Sequence, residues 1–137
     1  MITAVDTNVL LDVFTADPDF GARSREAVRQ CSAEGGLLAC AVVWAEIAAS
    51  FPSAERARAA LTELQIAFSP VDGTTALAAG DHFRDYRRRG GTRQRLVADF
   101  LVAAHAMLWA DRLLTRDRGF YRRYFEGLTI LDPSDGR

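Results

Sequence analysis

The chain opens on a short apolar run, residues 2–5, in which hydrophobic positions do not alternate with polar ones. Such a run predicts a strand buried on both faces, as in a parallel sheet. Apolar residues then recur at helical spacing over 8–14, with Thr7 or Asn8 placed to cap the helix. Asp17-Pro18 marks a turn. A second helix is predicted over about 20–33, stopping at Gly35-Gly36. Residues 37–40 read as a strand and 42–50 as a helix broken by Phe51-Pro52-Ser53. A further helix starts at 53–55 and reaches about 64. The strand over 66–71 contains Pro70, which places it at a sheet edge. A helix over 74–89 ends at Gly90-Gly91, and 95–110 is the most apolar helix of the chain. A strand at 113–115, a short helix at 119–125 and a strand at 128–131 complete the pattern, with a loose tail expected after Pro133. Strands alternating with helices predict an α/β fold: a parallel sheet with helices on both faces.

The 137 residues suit one domain with a real core. No apolar run reaches the ~18 residues of a membrane helix. The start lacks the basic and long apolar regions of a secretory signal. Cys31 and Cys40 lack CxxC spacing, which argues against a metal–thiolate site. As free thiols they fit a reducing, cytoplasmic setting. All 17 basic residues are arginine, in a chain of formal charge −1. The missing lysine removes any mechanism that needs one.

Four carboxylates stand out by context. Asp6 ends the first strand. Glu46 is the one charge in Val42-Val43-Trp44-Ala45-Glu46-Ile47-Ala48-Ala49. Asp99 is likewise alone in Leu96-Val97-Ala98-Asp99-Phe100-Leu101-Val102. Asp117 follows the strand Leu113-Leu114-Thr115. Each has an ordinary reading: Asp6 as a helix cap, Glu46 on a solvated face, Asp99 as a first-turn acid or a partner of Arg95, and Asp117 as a turn residue. Taken singly, those readings do not explain why acids mark strand C-termini and the helices just beyond, which a doubly wound sheet gathers at one edge. Carboxylates gathered there repel unless a cation lies between them, and an all-oxygen set suits Mg²⁺ or Mn²⁺ rather than Zn²⁺. Such an ion activates water and clamps phosphoryl oxygens, which is equipment for cutting phosphodiesters. His82 and His105 each stand alone on a helix and read as surface or core residues.

Rival chemistries on similar sheets lack their parts. A haloacid-dehalogenase-type phosphatase needs a second Asp where Asn8 stands, and it needs a lysine, as do phosphorylated receiver domains. The chain has no GxxxxGK[ST] loop, no GxGxxG after a strand and no GxSxG elbow.

Val5-Asp6-Thr7-Asn8-Val9-Leu10-Leu11, Glu46, Asp99-Phe100-Leu101-Val102-Ala103-Ala104-His105-Ala106 and Leu114-Thr115-Arg116-Asp117-Arg118-Gly119-Phe120, in that order, resemble the PIN-domain ribonucleases, specifically the VapC-type toxins of toxin–antitoxin pairs. The resemblance covers nearly the whole chain. It implies a single PIN domain over 1–137, a PIN-like three-layer α/β/α sandwich around a central parallel sheet of about five strands. It also implies that Asp6, Glu46, Asp99 and Asp117 are the catalytic, metal-holding acids, supported by the Thr115 hydroxyl and by Asn8. The activity implied is a Mg²⁺- or Mn²⁺-dependent endoribonuclease, and the partners are RNA, a cognate antitoxin and a second copy in a homodimer. Many relatives carry a further acid where this chain has Gly119, which leaves open whether one metal or two are held. The rival reading is a PIN-like module that binds RNA or protein without cutting.

The densest basic stretch is Arg84, Arg87, Arg88, Arg89, Arg93 and Arg95. Arg87, Arg88 and Arg93, with Arg116 and Arg118 beside Asp117, are the candidates for contacting RNA phosphates. The alternative is a solvated helix end with cations suited to its dipole. The antitoxin groove that the resemblance implies would be lined by Leu10, Leu11, Phe14, Trp44, Ile47, Phe51 and Leu61, which read equally as ordinary core.

Overall fold

The computed structural model describes residues 1–92 and 97–135; Arg93 and Arg95 lie outside them. Five strands, β1 (Ile2–Val5), β2 (Gly36–Cys40), β3 (Ile66–Ser69), β4 (Arg112–Leu114) and β5 (Ile130–Leu131), form one sheet in the order β3-β2-β1-β4-β5. All four pairings are parallel. The inner strands are largely buried on both sides because their runs are mostly apolar, with Ala4, Val5, Ala39, Cys40, Leu113 and Leu114 all buried. The Pro70-flanked strand β3 lies at an edge, where Ala67 and Phe68 are exposed.

The helices are α1 (Thr7–Phe14), α2 (Gly21–Glu34), α3 (Ala41–Ser50), α4 (Ala54–Glu63), α5 (Gly73–Arg88), α6 (Val97–Trp109) and α7 (Arg118–Tyr124). The chain steps outward from β1 to β3, then returns to β4 on the other side of β1. With right-handed crossovers, that reversal puts α1–α4 on one face and α5–α7 on the other, giving three layers. On the second face Phe83 and Tyr86 of α5, Phe100 of α6, and Phe120 and Tyr124 of α7 form a continuous aromatic cluster, with ring centroids 5.0–6.2 Å apart. Among the described residues, no helix is long and apolar enough to cross a membrane.

Three local features differ from the sequence reading. The N-cap of α1 is Asp6, as its ordinary reading had it, and not Thr7 or Asn8; its carboxylate accepts from the Thr7 N–H, and Thr7 is already helical. Gly35 closes α2 with an extended rather than left-handed backbone. Its need is close approach, since a Cβ there would lie 1.8 Å from the Met1 carbonyl oxygen. The tail is not loose over Pro133–Asp135, which form a 3₁₀ turn beyond the buried Asp132, itself an acceptor from the Ser134 N–H and hydroxyl.

Candidate active site

The sheet order reverses between β1 and β4, so the crevice at their carboxyl ends is the switch point where ligands bind in doubly wound folds. Asp6 leaves β1 there, and its N–H donates to the Leu114 carbonyl at 3.0 Å. The residue is 6% exposed. Oδ1 accepts from the Thr7 N–H at 2.7 Å, and Oδ2 accepts from Thr115 Oγ1 at 2.8 Å and from the Tyr121 hydroxyl at 3.1 Å. Burial pushes this carboxyl above its ordinary value, its three hydrogen bonds pull it back, and the charge of Glu46 adds to the push.

Thr115 is fully buried, and its hydroxyl uses every hydrogen-bonding position it has. Its hydroxyl donates to Asp6 and accepts from Asn8 Nδ2 at 3.3 Å and from the Asp117 N–H at 3.0 Å. Asn8 returns along the same loop, its Oδ1 accepting from the Arg116 N–H at 3.2 Å. Residues 115–117 are therefore pinned to the start of α1 across more than 100 positions of chain.

Glu46 is exposed on α3, where its Oε1 accepts from Thr7 Oγ1 at 2.7 Å. Thr7 thus stands between two acids, its N–H on Asp6 and its hydroxyl on Glu46. Asp99 is half-buried in the first turn of α6. Asp117 is exposed at the N-cap position of α7, yet its side chain makes no capping hydrogen bond. The Tyr121 hydroxyl lies among them. It is fully buried, and burial, reinforced by the charges of Asp6, Asp99 and Asp117, raises it far above the ordinary phenol value. At neutral pH it can only be a neutral donor.

The four acids therefore share one neighbourhood: Glu46 acts on Asp6, while Asp6, Asp99 and Asp117 act on Tyr121. Among the described residues, however, no three Asp, Glu, His or Cys side chains converge as a ready chelate. The donor chemistry still suits a hard divalent cation: oxygens only, one of them a buried carboxylate set among like charges and held by neutral donors.

The arginines divide. Arg116 is committed to structure: its Nε and Nη2 donate to the buried Asp12 carboxylate at 2.7 and 3.1 Å, and its guanidinium lies 4.1 Å from the centre of the Phe20 ring. The guanidinium expected to contact phosphate is therefore already paired with Asp12, though still 29% exposed. Arg118 Nε lies 3.4 Å from the buried carboxylate of Asp132. Arg87 and Arg88 are exposed, and Arg93 is outside the described residues. The implied groove also divides: Leu10, Ile47 and Leu61 are core, while Leu11, Phe14, Trp44 and Phe51 are partly buried, with Phe14 and Phe51 ring to ring at 5.3 Å.

Sequence reasoning passed over Tyr121 and Asp12. Tyr121 lies one helical turn beyond Asp117. Asp12 is a lone acid in the apolar run of α1, the criterion that singled out Glu46 and Asp99.

The model of the PIN domain family matches residues 3–126. The chain belongs to the PIN-domain family. Proteins of this family are nucleases. In fold this PIN domain is similar to a chain of VapBC2 from Rickettsia felis bound to a DNA fragment from its promoter, with TM-score 0.74, 17% identity, and coverage of 96% of this chain and 98% of that one. It is similar to VapBC-1 from nontypeable Haemophilus influenzae, with TM-score 0.73, 23% identity, and coverage of 98% and 100%. It is also similar to DNA-bound VapBC from Salmonella typhimurium, with TM-score 0.74, 17% identity, and coverage of 97% and 98%. No curated protein matches its sequence significantly.

Proposed function

We propose that this PIN domain is a Mg²⁺- or Mn²⁺-dependent endoribonuclease that acts in the cytoplasm as the toxin of a toxin–antitoxin pair. The observation that carries the nuclease reading is the Asp6 carboxylate, buried at the switch point among the charges of Glu46, Asp99 and Asp117. Burying an uncompensated charge is costly, and a site built that way suits a cation supplied from outside.

Asp6 and Asp99 would hold the ion, with Glu46 and Asp117 completing the set directly or through water. When bound, the ion supplies a water of lowered pKa and offsets charge on phosphoryl oxygens. The chain's own residues do the positioning. Thr115 and Tyr121 fix Oδ2 of Asp6, and the Thr7 N–H fixes Oδ1, so the carboxylate cannot rotate away. Thr7 couples Glu46 to Asp6. Asn8 and Thr115 hold the backbone that carries Asp117, whose side chain makes no capping bond and is left for the site.

The toxin reading is supported by the fold likeness to chains of VapBC complexes, which also supports an antitoxin partner for this chain. We further propose that the chain folds as one PIN domain and pairs as a homodimer. Leu77, Leu108 and Trp109 on α5 and α6 are 49–74% exposed, an apolar surface of the kind that association covers. Sedimentation should then give twice the 15.1 kDa chain mass.

The test is cleavage of structured RNA with Mn²⁺ by the wild type, Asp6→Asn and Asp99→Asn. Loss of cleavage in folded variants is the expected result. Undiminished cleavage refutes the mechanism, and metal-independent binding without turnover by the wild type leaves the non-catalytic module.

A further inference from the structure

Two helices that are distant in sequence bring five exposed arginines together beside the candidate site. Arg87, Arg88 and Arg89 end α5, and Arg122 and Arg123 lie in the last turn of α7. The contact between the helices is aromatic, with the Tyr86 and Tyr124 rings 5.0 Å apart, edge to face. The guanidinium of Arg89 lies 5.1 Å and that of Arg123 5.5 Å from the centre of the same Tyr124 ring, and Arg87 lies 4.8 Å from that of Phe83. Among the described residues, none of the five arginines is in an ion pair.

The manner of holding matters. A carboxylate partner would fix an arginine and cancel its charge. A ring face orients the guanidinium and leaves the charge whole. In a chain of net charge −1, Arg87, Arg89 and Arg123 are thus oriented but not neutralised, and the exposed Arg88 and Arg122 adjoin them in sequence to extend a local ridge of positive charge. Its position is also informative. α7 begins just after Asp117, carries Tyr121 at its middle and ends at these arginines, a helix of about 10 Å at ~1.5 Å per residue. On the ~3.4 Å axial spacing of phosphates in one strand of a DNA duplex, that distance corresponds to no more than about three nucleotides from the cleaved bond. Tyr124 already touches Tyr86, Phe120, Arg89 and Arg123, so it offers no stacking platform for a base.

We propose that Arg87, Arg88, Arg89, Arg122 and Arg123 form a phosphate track for the RNA backbone flanking the cleaved bond, one that reads charge and position but no base. The proposal rests on the ribonuclease reading for its ligand. Its consequence is that target choice is made elsewhere, by the shape of the RNA or by contacts nearer the acids.

Binding of a labelled RNA hairpin in EDTA, followed from 50 to 200 mM salt, tests the track without any turnover. In R87A/R89A/R123A the slope of log K against log salt should fall by about 2–3, and R87K/R89K/R123K should keep most of it. With Mn²⁺, the alanine variant should show KM raised about tenfold or more on the hairpin, kcat within about twofold, and unchanged cleavage of a trinucleotide too short to reach the ridge. An unchanged salt slope and KM overturn the track while leaving the ribonuclease reading intact. A wild type that cuts neither RNA sinks that reading, and the EDTA binding still decides the track. Hairpins of scrambled sequence should bind within about twofold of one another; a sequence preference that the alanine variant loses overturns base-blindness. If instead the alanine variant loses only its binding to phosphatidylserine vesicles, the ridge is a lipid surface and the proposal is wrong.

Discussion

Replacing Arg116 by alanine removes the cation from a carboxylate that cannot reach water. The Asp12 side chain is 5% exposed, accepts two bonds from Arg116 and one from Ser24 Oγ at 2.7 Å, and lies under the loop that carries Thr115 and Asp117. Breaking a buried pair from the cationic side costs about 3–5 kcal/mol, because the stranded charge stays buried. The opposite change is gentler. In Asp12→Ala the freed guanidinium, 29% exposed already, turns toward solvent, and the cost falls to about 1–3 kcal/mol. With an unfolding entropy of ~2.1 cal/mol/K per residue, the 137 residues give about 0.29 kcal/mol/K. Arg116→Ala should therefore lower Tm by about 10–17 °C and Asp12→Ala by about 3–10 °C. The double variant should be more stable than the sum of the two losses by at least ~1 kcal/mol. Differential scanning calorimetry of the three variants, in EDTA so that no metal contributes, reads all of this. A drop under about 3 °C for Arg116→Ala, or additivity within about 0.5 kcal/mol, refutes the strut. Below its Tm, Arg116→Ala should keep the wild-type salt slope for RNA; a reduced slope would return Arg116 to the phosphate contacts.

Asp6→Asn should raise Tm of the metal-free protein at pH 7, since burial and Glu46 hold the carboxyl above its ordinary value and its ionised form is a burden on the fold. The folded state keeps that proton better than the unfolded chain, so the wild type gains stability as pH falls toward 3.8 and the gap to the variant closes; a variant less stable at pH 7 in EDTA refutes this. Millimolar Mn²⁺ should raise Tm of the wild type only. Gly119→Asp should fold at least as stably as the wild type, because a Cβ there meets nothing within 4 Å and an acid near the start of α7 suits the helix dipole. Calorimetric titration should show tighter Mn²⁺ binding in that variant, and weaker binding would count against an acid site there. His105, fully buried with Nε2 2.7 Å from Ser69 Oγ, is held below its ordinary value of 6.5 by burial, partly offset by the charge of Asp72. The unfolded chain takes up that proton first, so stability should fall as pH drops below 6.5, by up to ~1.4 kcal/mol per unit. Urea midpoints should lose this contribution in His105→Gln.

What the chain declared openly was whatever depends on neighbours in sequence. The apolar runs of β1, β2 and β4, the break at Phe51-Pro52-Ser53 and the edge position of the strand before Pro70 all follow from local composition, and each strand lies within a few residues of its expected place. The acids were legible for a related reason: a lone charge in an apolar stretch is conspicuous wherever it occurs. The supporting shell was hidden because it is made of ordinary-looking residues joined across the fold. Nothing near Tyr121 shows that its hydroxyl reaches Asp6, 115 positions away. Nothing near Arg116 shows that its partner is Asp12, 104 positions away. Arg116 beside Asp117 looked like a free cation for that reason, and only the meeting of α1 with the loop after β4 reveals otherwise. The strand order is similarly silent in the sequence, yet the reversal between β1 and β4 decides where the site lies.

The pairing of β1 with β4 also sets when the site can exist. Asp6 is synthesised before Thr115 and Tyr121, which hold its carboxylate and come more than 100 residues later. A nascent chain carrying Asp6, Glu46 and Asp99 is an incomplete instrument, with β1 lacking one neighbour in the sheet and the first acid unfastened. A domain of this size folds as a unit, so the site assembles only once the chain through α7 has been made. A chain stopped at residue 110 should show neither cleavage nor stabilisation by Mn²⁺. On the proposed ribonuclease reading, the acids are thereby kept harmless to RNA until the chain through α7 has been made.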